Sequence, residues 1–230
     1  MGKVRYIDLS GALEDGMWGY FALPGLEDTI PPARIETIAT IERNGFFASR
    51  FSLSSVTGTY LEAGSHFLRD GKLLEDYPLD RFFGDGALLR LPEQKPGSRI
   101  ERDHLAEHAP PLRRGDALLI DTGWWKRWNR EGYVRTCPHY SRSALLWILE
   151  QGISILGVDV PCIEAAWSEE DEGEKGSLIG ELFKRDILLA APLVNLGAIG
   201  AERGRIVCLP LSIRGTSGSP ARIVFIEETG

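Results

Sequence analysis

Cysteine is scarce in this chain: Cys137, Cys162 and Cys208 are the only three among 230 residues. They are odd in number, widely spaced and form no C-x-x-C pair, which excludes a disulfide framework. No long apolar run is present either. The longest, ILLAAPLV at 187–194, falls far short of the roughly 20 residues a membrane-spanning helix needs. The N-terminal MGKVRYIDLS lacks the apolar stretch of a signal peptide, so the expected location is cytoplasmic. Basic residues are outnumbered, 26 Lys and Arg against 33 Asp and Glu, for a net charge of -7. With no basic cluster interleaved with aromatics, that balance argues against nucleic acid or an anionic membrane as partner.

Hydrophobic residues make up 43% and charged residues 26%. At this length they suffice for one domain, 1–230, with a sizeable core. No internal repeat, low-complexity segment or linker interrupts it. Alternating segments predict strands at 4–10, 34–41 and 46–56, and Asn44-Gly45 between the last two predicts a type I′ hairpin. Apolar runs predict strands at 87–91, 116–121, 154–160, 187–191, 205–211 and 221–228. Helices are predicted at 101–108, before Pro110-Pro111, at 143–151, closed by Gly152, and at 177–185. RGTSGSP (214–220) reads as a flexible loop and lacks the pattern of a phosphate loop. This alternation after an early hairpin gives an α/β (α+β) class with a mixed sheet flanked by helices. Cys208, within RIVCLPL, reads as a small buried hydrophobe.

One stretch, VTGTYLEAGSH (56–66), crowds Tyr60, Glu62 and His66 among small residues. The other histidines are less suggestive. His104 and His108 sit four apart on the predicted 101–108 helix without an H-E-x-x-H pattern, so they read as a solvated face. His139, in TCPHYS, reads as a surface loop residue.

Five segments in order resemble the cyclase family, the group that includes bacterial kynurenine formamidase and isatin hydrolase. They are YIDLSGALEDGMWGY, VTGTYLEAGSHF, RRGDALLIDTGWWKRW, LGVDVPCIE and LPLSIRGTSGSPARIVFIE. The resemblance implies a partly barrel-like mixed sheet, a small cyclic or aromatic carbonyl substrate, and a homodimer or homotetramer. It also implies metal ligands in the signature H-x-G-T-H-x-D-x-P-x-H, whose last histidine shuttles protons. Here Val56 and Tyr60 stand at the first two histidines, Glu62 at the aspartate and Gly64 at the proline, while Gly58, Thr59 and His66 match. Two further ligand positions align with Ile179 and Ala191; a shifted register offers Glu181. Valine, isoleucine and alanine cannot coordinate a cation, and one imidazole with one carboxylate is too few strong ligands for a tight site. No metal and no other cofactor is expected.

The catalytic candidates are therefore His66 as general acid or base, Glu62 as a second proton-transfer group or an orienter of the imidazole, and Tyr60 as donor to an oxyanion. The competing reading makes His66 structural, with Tyr60 and Val56 filling a vacated metal cavity. Substrate-binding candidates are Trp18, Trp124, Trp125, Cys162, Asp159 and Arg222. Tryptophans in loops, including Trp167, can wall an apolar pocket, whereas Trp147 reads as core. Cys162 is a nucleophile only if a base makes its thiolate, and otherwise structural. Asp159 ends a strand, where site residues and caps are both common. Arg222 suits a substrate carboxylate or a structural ion pair. The leading expectation is an enzyme that carries out ring closure, dehydration or amide or lactam hydrolysis by metal-independent acid–base catalysis. The alternatives are a metal-dependent arylformamidase-like hydrolase and an inactive small-molecule-binding homologue.

Overall fold

A computed structural model describes residues 2–164 and 178–229. Trp167 and Ser177, the first residue of the 177–185 helix expected from sequence, lie outside the described residues. In chain order the strands are β1 (Lys3–Asp8), β2 (Arg34–Ala39), β3 (Ala48–Ser52), β4 (Tyr60–Glu62), β5 (Phe83–Arg90), β6 (Arg99–Ile100), β7 (Ala117–Asp121), β8 (His139–Tyr140), β9 (Ile155–Val158), β10 (Leu188–Ala191), β11 (Arg203–Pro210) and β12 (Gly218–Thr229). The α-helices are α1 (Ile41–Asn44), α2 (Arg102–His108), α3 (Arg142–Glu150) and α4 (Leu178–Lys184). No helix among the described residues is long and apolar enough to cross a membrane.

The main sheet runs β1-β12-β11-β5-β7-β9-β10-β4, and β12 pairs again with β4. That second pairing closes β12, β11, β5, β7, β9, β10 and β4 into a ring, with β1 appended to β12. The run β5-β7-β9-β10 is parallel, while β4, β11 and β12 join antiparallel. The mixed, barrel-like sheet flanked by helices is the architecture expected from the sequence.

Alternation along each strand sorts side chains onto two faces. Leu61, Leu88, Leu119, Ile155, Leu188, Ile206 and Phe225 belong to one cluster, drawn from all seven ring strands; it is the barrel interior. Tyr60, Leu89, Leu118, Leu156 and Leu189 belong to the other, which also holds Leu105 of α2, Leu145 of α3 and Leu182 of α4. Because the parallel strands are covered on both faces, they read as continuous apolar runs rather than alternating ones. Two glycines make room for the fully buried Phe225 ring. A Cβ would sit 2.6 Å from the Phe225 ring at Gly204 and 2.8 Å from it at Gly86.

Three expectations need correction, and one strand went unpredicted. Asn44-Gly45 does not form a type I′ turn. Thr40 caps the short α1 by accepting from the Arg43 amide, and only Gly45 takes a positive φ, of 76°. The 214–220 segment is not all loop, because Gly218–Pro220 pair with β4. His139 is buried, not at the surface: its strand pairs in parallel with β6, a long-range contact that local composition does not reveal. Finally, β4 itself has only three residues, too few for alternation to show. The expectation for Cys208 matches its burial inside the barrel.

Truncating Phe225 to alanine leaves a void between two glycines that cannot fill it. Denaturant unfolding is expected to show a loss of about 3–5 kcal/mol. Tyr6→Ala, at an exposed position of β1, is expected to change stability by less than about 0.5 kcal/mol.

Candidate active site

The candidate residues ride on β4 and the turn that follows it. Gly58 takes φ +66°, a conformation that favours glycine, while the Leu13 methyl that a Cβ would meet at 2.3 Å is free to move aside. Next, the Thr59 hydroxyl donates to the Pro192 carbonyl at 2.6 Å and accepts from the Gly11 amide at 3.0 Å. β4 is then held between two strands: Tyr60 lies opposite Ala191 and Pro220, and Glu62 opposite Leu189 and Gly218. A 3-10 turn, Gly64–His66, folds His66 back until its Nδ1 lies 3.2 Å from Glu62 Oε1.

Burial decides the charge of this pair. The Glu62 side chain is 2% exposed and that of His66 33%. Desolvation raises the Glu62 carboxyl to about 8 and lowers the His66 imidazole below its ordinary value. Mutual attraction between ions would act oppositely on each group, and here the desolvation penalty wins. At neutral pH the proton therefore resides on the carboxyl and the imidazole is neutral. Glu62 Oε1 is buried and makes no well-aligned hydrogen bond, so the proton-transfer pair is close but not locked.

Tyr60 has a different partner. The Tyr20 hydroxyl lies 2.8 Å from the Tyr60 hydroxyl and donates to the Pro161 carbonyl at 2.5 Å. A carbonyl cannot donate, so the single Tyr20 proton goes to Pro161. The Tyr60 proton must then go to Tyr20. Burial, reinforced by neighbouring groups, holds both phenols well above the ordinary tyrosine range. In this arrangement the Tyr60 proton is directed to Tyr20, which weighs against the oxyanion role expected of it.

Cys162 follows Pro161 and is close enough for its charge to influence Tyr20, Tyr60 and, reciprocally, Glu62. A hydrogen bond with Cys137 and burial push its thiol well above the usual range. It is therefore not an activated nucleophile. Trp18 meets Tyr20 edge-on, with ring centroids 6.0 Å apart, and joins the group through it.

The remaining candidates do other work. Trp124 is 1% exposed. It donates to the Tyr133 carbonyl and stacks on that ring, which makes it core. Asp159 accepts from the Thr122 amide and hydroxyl at 3.1 and 2.7 Å and from the Trp125 amide at 3.3 Å, so it pins the 122–125 turn. Burial raises its carboxyl to about 7 against the opposing effect of those donors. Trp125 donates to Asp121 and packs with the interior cluster, on the opposite side of the sheet from Tyr60. Arg222 is exposed and paired with Asp8 at 2.5 Å, on the rim of a separate cleft. Sequence reasoning missed Tyr20, which lies forty positions from Tyr60 with no spacing pattern to link them.

Of the positions aligned with metal ligands, Tyr60 lies opposite Ala191 across β4 and β10. Val56, Tyr60 and Ala191 share one apolar cluster, and Ile179 packs against it. Their chemistry does not fit a metal ion. Three offer no donor atom, and the Tyr60 phenol is protonated and engaged with Tyr20. Among the described residues, no group of three or more His, Cys, Asp and Glu side chains is placed to hold a metal ion.

The closed mixed sheet, with a Glu–His pair at the end of β4 and two tyrosines packed beside it, places the chain among barrel-like α/β proteins. Within that class, residues 7–165 match the family model described as "Putative cyclase", and the chain belongs to the Cyclase family. It is similar to the kynurenine formamidase of Geobacillus thermodenitrificans, 27% identical over 173 residues, covering 75% of this chain and 77% of that one. The kynurenine formamidase of Bacillus cereus ATCC 14579 is 25% identical over 226 residues, covering 98% and 99%. Among solved structures, isatin hydrolase A from Ralstonia solanacearum superposes with a TM-score of 0.83 at 21% identity, over 98% of this chain and 92% of that one.

The raised Glu62 carboxyl fixes a sign for pH dependence. Between about 4.5 and about 8 the unfolded carboxyl is ionised while the folded one holds its proton. The folded state binds more protons there, so stability falls as pH rises through that window. The contribution is complete below about 4.5 and lost by about 8. Glu62→Gln removes it. Thermal melts across the window should decline less steeply in the variant than in the parent, by on the order of 3–5 kcal/mol across the range.

Proposed function

We propose that this chain is a hydrolase of small aromatic amides or lactams that works by acid–base catalysis without a metal ion. The observation that carries the reading is the neutral Glu62–His66 pair, 3.2 Å apart, with the acid buried and the base part-exposed. Family membership supports a carbonyl substrate, and the kynurenine formamidase and isatin hydrolase relatives support an aromatic one.

The pair supplies both proton movements that hydrolysis requires. His66 Nδ1 faces Glu62, which leaves Nε2 for a water molecule. As water oxygen bonds to the carbonyl carbon, Nε2 takes the water proton and Glu62 gives its proton to the carbonyl oxygen. The tetrahedral intermediate is neutral, flanked by imidazolium and carboxylate. As the C–N bond breaks, the imidazolium protonates the leaving nitrogen and Glu62 recovers a hydroxyl proton. The acid, the amine and the starting protonation states result. A protonated carboxyl that donates to a developing oxyanion in an apolar setting is a known device, and Glu62 fills that role in this reading. Ring closure and dehydration would draw on the same pair.

The test is turnover of aryl formamides and cyclic aryl amides. His66→Ala and Glu62→Gln are each expected to lower kcat by ~10²–10⁴-fold. Activity is expected to fall as pH rises through about 8, where Glu62 ionises. Chelator treatment should leave rates unchanged, and added zinc or manganese should not raise them. Unchanged rates in both variants would sink the acid–base role. Loss on chelation with recovery on adding metal would favour a metal-dependent hydrolase. Ligand-raised melting temperature without turnover would favour a binding protein.

A further inference from the structure

The segment that carries His66 leaves the sheet after Gly64, and Phe67, Arg69, Asp70 and Lys72 along it are exposed. What holds it is local. The Ser65 amide donates to the Lys72 carbonyl at 3.0 Å, the Leu68 amide to the Gly64 carbonyl at 2.9 Å and the Gly71 amide to the Leu68 carbonyl at 3.0 Å. Where the two ends of the segment cross, Gly71 lies directly against the Gly64–Ser65 peptide. A Cβ on Gly71 would sit 2.3 Å from the Gly64 carbonyl carbon, 2.5 Å from its oxygen and 2.5 Å from the Ser65 nitrogen. All three are backbone atoms, so no side chain can step aside, and only glycine permits this approach. The next residue extends the contact outward. The Lys72 ammonium lies 3.0 Å from both carboxylate oxygens of Asp186, which also accepts from the Tyr77 hydroxyl at 2.8 Å. Asp186 holds a left-handed φ of 59° two residues before β10, the strand that sets Leu189 opposite Glu62. The segment that bears His66 is thus tied to the strand that seats Glu62.

We propose that Gly71, Lys72 and Asp186 are positioning residues, which hold His66 against Glu62 and fix the separation of the pair. The catalytic part of this inference rests on the acid–base reading above; the geometric part stands without it. Three arguments support the assignment. First, the pair does not hold itself. His66 Nδ1 and Glu62 Oε1 are 3.2 Å apart, yet Glu62 Oε1 makes no well-aligned hydrogen bond, so the separation has to be set from outside. Second, the brace does little else. The Lys72 and Asp186 side chains are 52% and 48% exposed, and ion pairs at such exposure add little to stability. What this one supplies is a fixed position. Third, the lever is short. The turn that presents the imidazole is Gly64–His66, so movement of the Gly64–Ser65 peptide passes straight to His66. Relaxing a contact of 2.3 Å to an ordinary one of 3.4 Å needs a shift of roughly 1 Å. A displacement of that size at a reacting group costs on the order of 10²-fold in rate.

The test compares Gly71→Ala, Lys72→Met and Lys72→Arg in the full chain. A crystal structure of Gly71→Ala is expected to show His66 Nδ1 displaced by roughly 1 Å from its place 3.2 Å from Glu62 Oε1. With an aryl formamide or a cyclic aryl amide as substrate, kcat should fall by ~10²-fold in Gly71→Ala and about 5-fold in Lys72→Met, with KM within about 2-fold in both. Lys72→Arg should recover most of the Lys72→Met loss, because a guanidinium also reaches both carboxylate oxygens. The melting temperature of Lys72→Met should stay within about 4 °C of the parent. An unmoved pair in Gly71→Ala would overturn the proposal, whether or not the chain proves to be a hydrolase. So would a kcat loss in Lys72→Met that Lys72→Arg does not recover, or a rise in KM alone, which would make the segment a substrate contact. A displaced pair in a chain whose parent turns over no substrate would retain the brace and remove the acid–base reading. Should Gly71→Ala fail to fold, the structure and kinetics of Lys72→Met decide in its place.

Discussion

The ring of strands closes through β4, and β4 has only three residues. On one side it pairs with β10, on the other with the first residues of β12. Without it the sheet would have two exposed edges and the interior cluster would be open along its length. The same three residues alternate: Leu61 fills the interior, while Tyr60 joins the cluster beneath the helices. Closure of the barrel and placement of the candidate site are therefore one structural act. The segment that does it is pinned at its start by Gly58 and by the two hydrogen bonds of Thr59.

Position on the helix-covered face of that closed sheet then sets the chemistry. Glu62 and His66 are close enough to be an ion pair, yet both are shifted toward the neutral form, because removing two charges from water costs more than their attraction returns. The hydrogen bond with Cys137, together with burial, keeps Cys162 a thiol, and burial keeps both tyrosines phenols. A region that holds five titratable side chains thus carries little net charge near neutrality. Proton transfer, rather than fixed charge, is what such a region can provide.

Much of the fold was legible because the parallel strands are buried on both faces and announce themselves as apolar runs. The pairing of Glu62 with His66 was legible too, since a strand end followed by a tight turn brings neighbours four apart together. Three features were not. β4 is too short to show a period. The Asn44-Gly45 turn was misread because the Thr40 cap favours a helical turn over a primed one. Tyr20 is joined to Tyr60 only by the path of the chain around the barrel, and a contact forty residues apart leaves no mark on local composition. The same contact engages the Tyr60 hydroxyl, which the residue type alone does not reveal.

The two tyrosines have one more consequence. Their hydroxyls form a one-way chain that ends on the Pro161 carbonyl, and each depends on the other for its place. A substitution at position 60 therefore also frees the Tyr20 hydroxyl, and one at position 20 leaves the Tyr60 proton without its acceptor. Groups linked in this way act as a unit, so changes at the two positions are expected to be strongly non-additive.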